Sequence, residues 1–257
     1  MSIKFPSKKI IAATFSKRAL QYYDKAFIQH KINSLMLEIL KQYDNKNLQW
    51  LDAGCGIGFL GGKIKEKKIG IKLFQTDIAF NSLKHIKTNK NLCTQADLEN
   101  IPYKDSVFNG IVCSSVFQWI PDINKALKEI YRIMKNNGVL IFSVFIDGSF
   151  SQIFYVRKLF NLPYNIFLPK LDEFNAILKE CGFSNIKVKS FCEDYYFKNA
   201  FELLKYFSSI GSTAVYGKRL NRKELNEFCN TYEKHFSLSL GIPLTIKFAI
   251  GKADKIE

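Results

Sequence analysis

Apolar and polar positions between residues 48 and 146 alternate between strand-like and helix-like patterns. Five short apolar runs bounded by turn residues are typical of buried strands, at 48–53, 71–77, 92–96, 109–115 and 139–145. Helical patterns lie between them, at 59–68, 82–89 and 124–134, the last closed by Asn136-Asn137-Gly138. Strands that alternate with helices predict βαβ units and a parallel sheet with right-handed crossovers.

The pattern is less regular after residue 146. Helices are predicted over 149–167, 171–181, 200–209 and 222–235, and strands over 186–191 and 244–250. Two helical stretches, about 149–169 and 199–235, interrupt the α/β order. Because open parallel sheets bind ligands beyond the carboxyl ends of their strands, we expect these stretches to be lid insertions. They would cover a core at 48–146, which a helix at 10–42 precedes.

The composition is that of a globular protein. The chain has 257 residues, which fits a single domain over 1–257, and its 47% apolar and 24% charged residues exclude wholesale disorder. No apolar run approaches the roughly 18 residues of a membrane-spanning helix. The net charge of +15 leaves two interpretations open: a lysine-rich composition without function, or an acidic partner. No arginine-rich run or basic–aromatic alternation indicates nucleic acid.

The six cysteines include no C-x-x-C pair, and only three histidines are present. A structural zinc site needs four clustered ligands, so no metal site is predicted. Several cysteines lie in apolar, strand-like runs, where cysteine behaves as a small hydrophobe. We interpret them as reduced thiols of a cytoplasmic protein.

A glycine-rich segment, LDAGCGIG at residues 51–58, follows the first strand and opens the first helix of the core. Residues 56–61 also satisfy G-x-G-x-x-G, which alone is weak evidence for a dinucleotide. The carboxylate of Asp52 argues against a dinucleotide, because it would repel a diphosphate bound at the loop. It suits instead the ammonium and sulfonium groups of S-adenosylmethionine. The predicted cofactor-binding residues of this segment are Asp52, Gly54, Cys55, Gly56 and Gly58.

Two further acids stand at the ends of the next two strands. Asp77, followed by Ile78, is placed to accept hydrogen bonds from both ribose hydroxyls. Asp97, followed by Leu98, is placed to accept from an adenine amino group. Three acids at successive strand ends, with no lysine or arginine among them, predict a ligand that contains adenosine but no phosphate.

The segment from residue 50 to 146 resembles the class I S-adenosylmethionine-dependent methyltransferases. The motifs that carry the resemblance are LDAGCGIGFL, QTDIA, QADLENIPYKDSVFNGIVCSSVFQWI and ALKEIYRIMKNNGVLIFS. The resemblance implies an α/β, Rossmann-like sheet that is mostly parallel, with an antiparallel C-terminal strand and helical lid insertions. It also implies S-adenosylmethionine as cofactor, with Ser114 near its methionine end and Gln118 lining the site.

A narrower resemblance, to the malonyl-acyl-carrier-protein O-methyltransferase family of biotin synthesis, spans nearly the whole chain. It rests on FSKRA at 15–19, Tyr23, Asp24, Gln118-Trp119 and SSIGST at 208–213. It implies methyl transfer from S-adenosylmethionine to the free carboxylate of malonyl-acyl carrier protein. Acyl carrier protein is acidic, so it would account for the basic charge.

A carboxylate is ionised at neutral pH and needs no general base, so no acid–base constellation is expected. Tyr23 is predicted to close over the site as a catalytic residue, and the neighbouring Tyr22 is a rival that the sequence leaves open. The candidate cations for the substrate carboxylate are Arg157, Lys205 and Arg219. The basic lid residues predicted to dock the carrier are Lys198, Lys205, Lys218, Arg219, Arg222 and Lys223.

Three other functions stay open on the sequence. The same fold methylates other small carboxylates or quinone-type ring carbons, and these substrates would need no carrier. Relatives of the fold also act as S-adenosylmethionine-binding assembly or hydroxylation factors. A nucleic-acid methyltransferase is supported by the charge alone.

Overall fold

The computed structural model describes residues 5–86, 92–163, 166–212 and 220–256. Lys218, Arg219 and the end of the helix predicted at 82–89 lie outside the described residues.

The described strands form one seven-stranded sheet in the order β3-β2-β1-β4-β5-β7-β6. The strands are β1 (Gln49–Ala53), β2 (Lys72–Asp77), β3 (Cys93–Gln95), β4 (Phe108–Ser114), β5 (Met134–Phe145), β6 (Ser184–Phe197) and β7 (Ile242–Asp254). The first five pair in parallel, while β7 pairs antiparallel with both β5 and β6. The predicted fold class, with its antiparallel C-terminal strand, is confirmed.

Strand order reverses between β1 and β4, which are neighbours although β2 and β3 separate them along the chain. The crevice beyond the carboxyl ends of two such strands is the usual ligand site of an open α/β sheet. The segments that follow β1 and β4 are the glycine loop and the stretch around Ser115.

The helices are α1 (Lys8–Lys25), α2 (Phe27–Leu40), α3 (Phe59–Glu66), α4 (Phe80–Leu83), α5 (Ile123–Ile133), α6 (Ser151–Leu159), α7 (Leu171–Glu180), α8 (Ala200–Ser209) and α9 (Arg222–Phe236). One helix was predicted at 10–42, and the structure has two. The break is at Ala26, whose backbone (φ −79°, ψ 49°) leaves the helical region and whose side chain is fully buried.

The helix predicted at 124–134 does not end at Gly138 in the way the sequence predicts. Helix α5 ends at Ile133, and β5 begins at Met134 without an intervening loop. Asn137, not Gly138, takes the left-handed conformation (φ 60°), and its N–H donates to the Lys255 carbonyl at 2.8 Å. The asparagine tolerates this conformation because its short polar side chain reduces the steric cost.

Two apolar cores lie against the sheet. Helix α5 shows how the sequence builds one of them, because its buried residues recur at helical spacing. They are Ile123, Ala126, Leu127, Ile130 and Ile133. Each fully buried isoleucine or leucine stabilises the fold by about 1.5–3 kcal/mol.

None of the helices in the described part of the chain is long and apolar enough to span a membrane.

Candidate cofactor and acceptor site

A cavity of about 1460 Å³, including its open mouth, lies beyond the carboxyl ends of β1 and β4. Its floor comes from the strand ends and its cover from α1, α2, α6 and α8. The lining combines acids from the strand ends with apolar side chains of the covering helices.

The glycine loop is held on the sheet by its backbone. The amides of Gly54 and Cys55 donate to the Thr76 carbonyl at 2.7 and 2.9 Å. Gly54 (φ 77°) passes so close to Val116 that a Cβ would meet its Cγ2 at 2.5 Å. A Cβ at Gly56 (φ 55°) would meet no protein atom within 4 Å, so this backbone faces open cavity. The loop thus exposes bare backbone to a ligand.

Asp77 lines the cavity at the end of β2. Its Oδ2 accepts from the Gly56 amide at 2.8 Å and its Oδ1 from the Ala79 amide at 2.7 Å. Burial raises its pKa, and these two amides oppose the rise. An ionised carboxylate has about four acceptor positions, so two remain for the hydroxyls of a ribose.

Asp52 lies beneath the loop and does not line the cavity. It is 2% exposed, and the Gln75 amide approaches its Oδ2 at 3.5 Å. Burial raises its pKa to about 7; Gln75 opposes the rise and the charge of Asp77 adds to it. The role of Asp52 in cofactor binding stays a prediction; from this buried position it would act through its charge and not by direct contact.

Asp97 and Leu98, which are predicted to flank the adenine, line a part of the cavity that we call the adenine edge. Ile78, Lys8 and Glu99 also line the cavity. Asp97 Oδ1 accepts from the Glu99 amide at 3.0 Å, which fixes the carboxylate. The Lys8 ammonium lies 2.5 Å from Asp97 and 2.7 Å from Glu99. Sequence analysis missed Lys8, because nothing local distinguishes it among 38 basic residues.

The predicted methionine end is lined by Ser114 and Gln118. The Gln118 amide donates to the Ser115 carbonyl at 2.6 Å, while its Oε1 is buried without a hydrogen-bond partner among the described residues. An ammonium group is the donor that this oxygen lacks. The unpaired oxygen, the bare backbone at Gly56 and the acids at the strand ends therefore fit S-adenosylmethionine.

The structure separates the two rival tyrosines. Tyr22 lines the cavity in one row with Ile11, Phe15 and Ala19, at helical spacings of four, four and three. Tyr23 is turned about 100° further around α1. It is 51% exposed and packs on Phe59 outside the cavity. The expectation that Tyr23 faces the site is thus corrected to Tyr22.

Two loop residues predicted to bind cofactor also lie off the cavity wall. Cys55 and Gly58 support the loop, since the Gly58 amide donates to the Cys55 carbonyl at 2.9 Å. All six cysteines are free thiols. In the described part of the chain, no three histidine, cysteine or acidic side chains are grouped to hold a metal ion.

Comparisons with known proteins agree with this geometry. A family model described as a methyltransferase domain matches residues 51–142. Malonyl-[acyl-carrier protein] O-methyltransferase of Geobacter sulfurreducens is 25% identical over 264 residues, covering 95% of this chain and 98% of that protein. A solved S-adenosylmethionine-dependent methyltransferase of Thermotoga maritima superposes with a TM-score of 0.57 at 16% identity, covering 95% and 99%. This chain is an S-adenosylmethionine-dependent methyltransferase with the fold of that solved structure.

A second kind of relative is also found. The mitochondrial arginine-hydroxylase NDUFAF5 of Homo sapiens is 28% identical over 172 residues, which cover 63% of this chain and 50% of that protein. The methyltransferase thus resembles proteins with two different named activities.

Beyond the cofactor acids, the cavity of the methyltransferase becomes apolar. This acceptor half is lined by the lid helices and the end of β5, with Trp119 in edge contact with Phe15 at 5.2 Å. Its apolar lining residues are Phe145, Phe150, Ile153, Phe154, Ile166, Phe207 and Ile210. Among the described residues, no histidine or arginine lines the cavity, and Lys8 is its single lysine.

Two predicted substrate cations lie elsewhere. Arg157 is buried, and its Nε donates to the Pro163 carbonyl at 3.1 Å. Lys205 lies 3.5 Å from Glu202 on the exposed side of α8. Neither lines the cavity of the methyltransferase.

Proposed function

We propose that the methyltransferase transfers a methyl group from S-adenosylmethionine to the free carboxylate of malonyl-acyl carrier protein. The similarity to the Geobacter enzyme over almost the full length of both chains supports this assignment. Other relatives with the same name, from Buchnera aphidicola among others, match most of the chain at a similar identity.

The observation that carries the proposal is an acceptor half without a base among the described residues. Its walls are mostly aromatic and aliphatic, and the titratable groups that line the cavity are three acids, Lys8 and the phenols of Tyr22 and Tyr206. A nitrogen or carbon nucleophile would need a group to take its proton. A carboxylate carries its own negative charge, so positioning alone suffices.

The lining residues would then act by orientation and by excluding water. Bound S-adenosylmethionine supplies an electrophilic sulfonium methyl group. Trp119, Phe15 and the phenylalanines of the lid leave few polar partners for water around the acceptor oxygen. Removing water strengthens the attraction between an anionic acceptor and a cationic donor.

The basic surface supports a carrier-bound substrate. Lys198, Arg222 and Lys223 are exposed at the starts of α8 and α9, and α8 is one of the helices that cover the cavity. An acidic carrier would be attracted to them, and the acyl group would enter from that side. We also propose a cytoplasmic location, in keeping with the six free thiols.

The test is release of S-adenosylhomocysteine by the purified protein with malonyl-acyl carrier protein, free malonate or succinyl-acyl carrier protein. Fast release with the malonyl carrier alone, with a methyl ester detected by mass spectrometry, is the expected result. Equal rates with free malonate would indicate another small carboxylate as the substrate. Release of S-adenosylhomocysteine with a quinone-type compound, and with none of the carboxylates, would indicate a quinone-type acceptor.

The NDUFAF5 relative supplies the second candidate, an S-adenosylmethionine-binding hydroxylation factor. The same assay separates the two functions. Binding of S-adenosylmethionine without transfer to any acceptor would favour this candidate and contradict the carboxyl methyltransferase.

A further inference from the structure

We propose that Tyr206 on α8 is an acceptor-binding residue, whose phenol donates a hydrogen bond to the acyl substrate. This inference rests on the proposed function and adds to it the group that holds the substrate. Tyr206 lines the acceptor half of the cavity and is 8% exposed.

The ring of Tyr206 is fixed by aromatic neighbours. The rings of Phe27, Phe197 and Phe207 lie 4.9, 5.4 and 5.7 Å away between centroids. A ring packed on several sides has few rotamers, so its hydroxyl points in a defined direction.

The buried hydroxyl of Tyr206 has no hydrogen-bond acceptor among the described residues. The nearby backbone amide of Ile28 can only donate to its oxygen. Buried tyrosine hydroxyls usually find an acceptor, so the free proton indicates a ligand that supplies one.

Tyr22 stands close enough for the two phenols to influence each other electrostatically. Burial raises the pKa of both hydroxyls, so both remain protonated donors at neutral pH. Neutral donors orient a carboxylate without neutralising it. A cation at the same place would stabilise the charge of the reactant, which methyl transfer removes, and would slow the reaction.

The experiment compares Tyr206→Phe with the wild type and with Tyr195→Phe. Tyr195 is a matched control, because it packs against the same Phe27 while its hydroxyl donates to Glu193 at 2.6 Å, off the cavity wall. The readouts are kcat/KM with malonyl-acyl carrier protein, the Kd of S-adenosylmethionine and the melting temperature.

We expect Tyr206→Phe to lower kcat/KM by about 10- to 100-fold, the effect of a hydrogen bond to a charged group. The Kd of S-adenosylmethionine should not change, and the melting temperature should stay equal or rise, because the lost hydroxyl had no acceptor. Tyr195→Phe should keep the wild-type kcat/KM.

Three results would overturn the inference. Wild-type kinetics in Tyr206→Phe would remove the phenol from the acceptor site. A lower melting temperature together with a weaker Kd would make it structural. If the wild type methylates no carboxylate, the proposed function fails and the inference fails with it. In the first two cases the wild type still methylates the malonyl carrier, so only the role of Tyr206 is refuted.

Discussion

The ammonium of Lys8, in the first turn of α1, lies 2.5 Å from the carboxylate of Asp97 beyond β3 and 2.7 Å from Glu99. Burial lowers the pKa of Lys8, but the hydrogen bonds to the two acids outweigh it and raise the pKa overall. The acid predicted to bind adenine is thus the one that anchors the helix covering the site. The position of α1 and the adenine edge are therefore coupled.

Replacing Lys8 by Met should loosen this anchor while keeping the aliphatic stem. A half-exposed ion pair is worth about 0–1 kcal/mol, so we expect S-adenosylmethionine to dissociate about 2- to 5-fold faster. The fluorescence of Trp119, on the cavity wall, reports the exchange in a stopped-flow experiment. Lys9→Met, at an exposed neighbouring position, is the control and should exchange like the wild type. Tighter binding by Lys8→Met would mean that Lys8 competes with adenine.

Gly56→Ala should impair cofactor binding more than folding. The new methyl group would enter open cavity, and the positive φ costs a non-glycine residue about 1–2 kcal/mol. We expect a modest fall in melting temperature and at least about a 10-fold loss of S-adenosylmethionine affinity, the factor for 1.4 kcal/mol. Gly62→Ala, on α3 with open space around its Cβ, should bind normally and be stabilised by about 0.5–1 kcal/mol. Equal affinities in the two variants would place the ligand away from the loop.

Asp52 should make cofactor binding depend on pH. Its pKa in the folded protein is about 7, above that of an unfolded aspartate, so the folded protein loses stability as pH rises toward 7. A cationic ligand favours the ionised form, so affinity should rise with pH through this range and binding should release a proton. Titration calorimetry in buffers of different ionisation enthalpy measures that release.

Asp52→Asn is the control for this prediction. The amino group of the ligand titrates identically with both proteins, so the difference in proton release reports Asp52. Equal release from both proteins would mean that Asp52 does not change its protonation when the cofactor binds.

The fold and the cofactor half of the site were largely predictable because their signals are local. Helix α8 was predicted at 200–209 and has these bounds in the structure. Its start is a local signal, because the Asn199 side chain caps the helix by accepting from the Glu202 amide. Asp77 and Asp97 were located because each ends an apolar run, and the carboxyl ends of parallel strands share one edge. The predicted family resemblance and cofactor are confirmed by the comparisons.

Features set by tertiary contact could not be predicted. Strands β6 and β7 were predicted as 186–191 and 244–250, but they pair with each other well beyond these limits, from Ser184 opposite Asp254 to Phe197 opposite Ile242. The rotation of α1, which decides between Tyr22 and Tyr23, depends on packing against α4 and α8. The partners of Lys8 lie 89 and 91 residues away along the chain.

Salt should weaken the proposed carrier interaction specifically. Because screening acts on exposed charges, the KM for malonyl-acyl carrier protein should rise with ionic strength while the Kd of S-adenosylmethionine changes little. A variant with serine at Lys198, Arg222 and Lys223 should have a higher KM for the carrier at low salt. Its KM should also depend less on ionic strength. A control triple lies toward the amino ends of the strands, at Lys65, Lys67 and Lys72. If the KM of the wild type does not change with ionic strength, the net charge of +15 reflects a lysine-rich composition and not carrier binding.

Tyr22→Phe and Tyr23→Phe form a matched pair, because both remove one hydroxyl from α1. The Tyr22 side chain lines the cavity and lies near Asp77, so losing its hydroxyl removes a donor at the boundary of the cofactor and acceptor halves. We expect turnover with the malonyl carrier to fall about 10-fold or more in Tyr22→Phe, the loss of one hydrogen bond to a charged group. Tyr23→Phe should keep wild-type turnover, since the side chain is half exposed and packs on Phe59. The reverse result would mean that α1 rotates when the ligands bind.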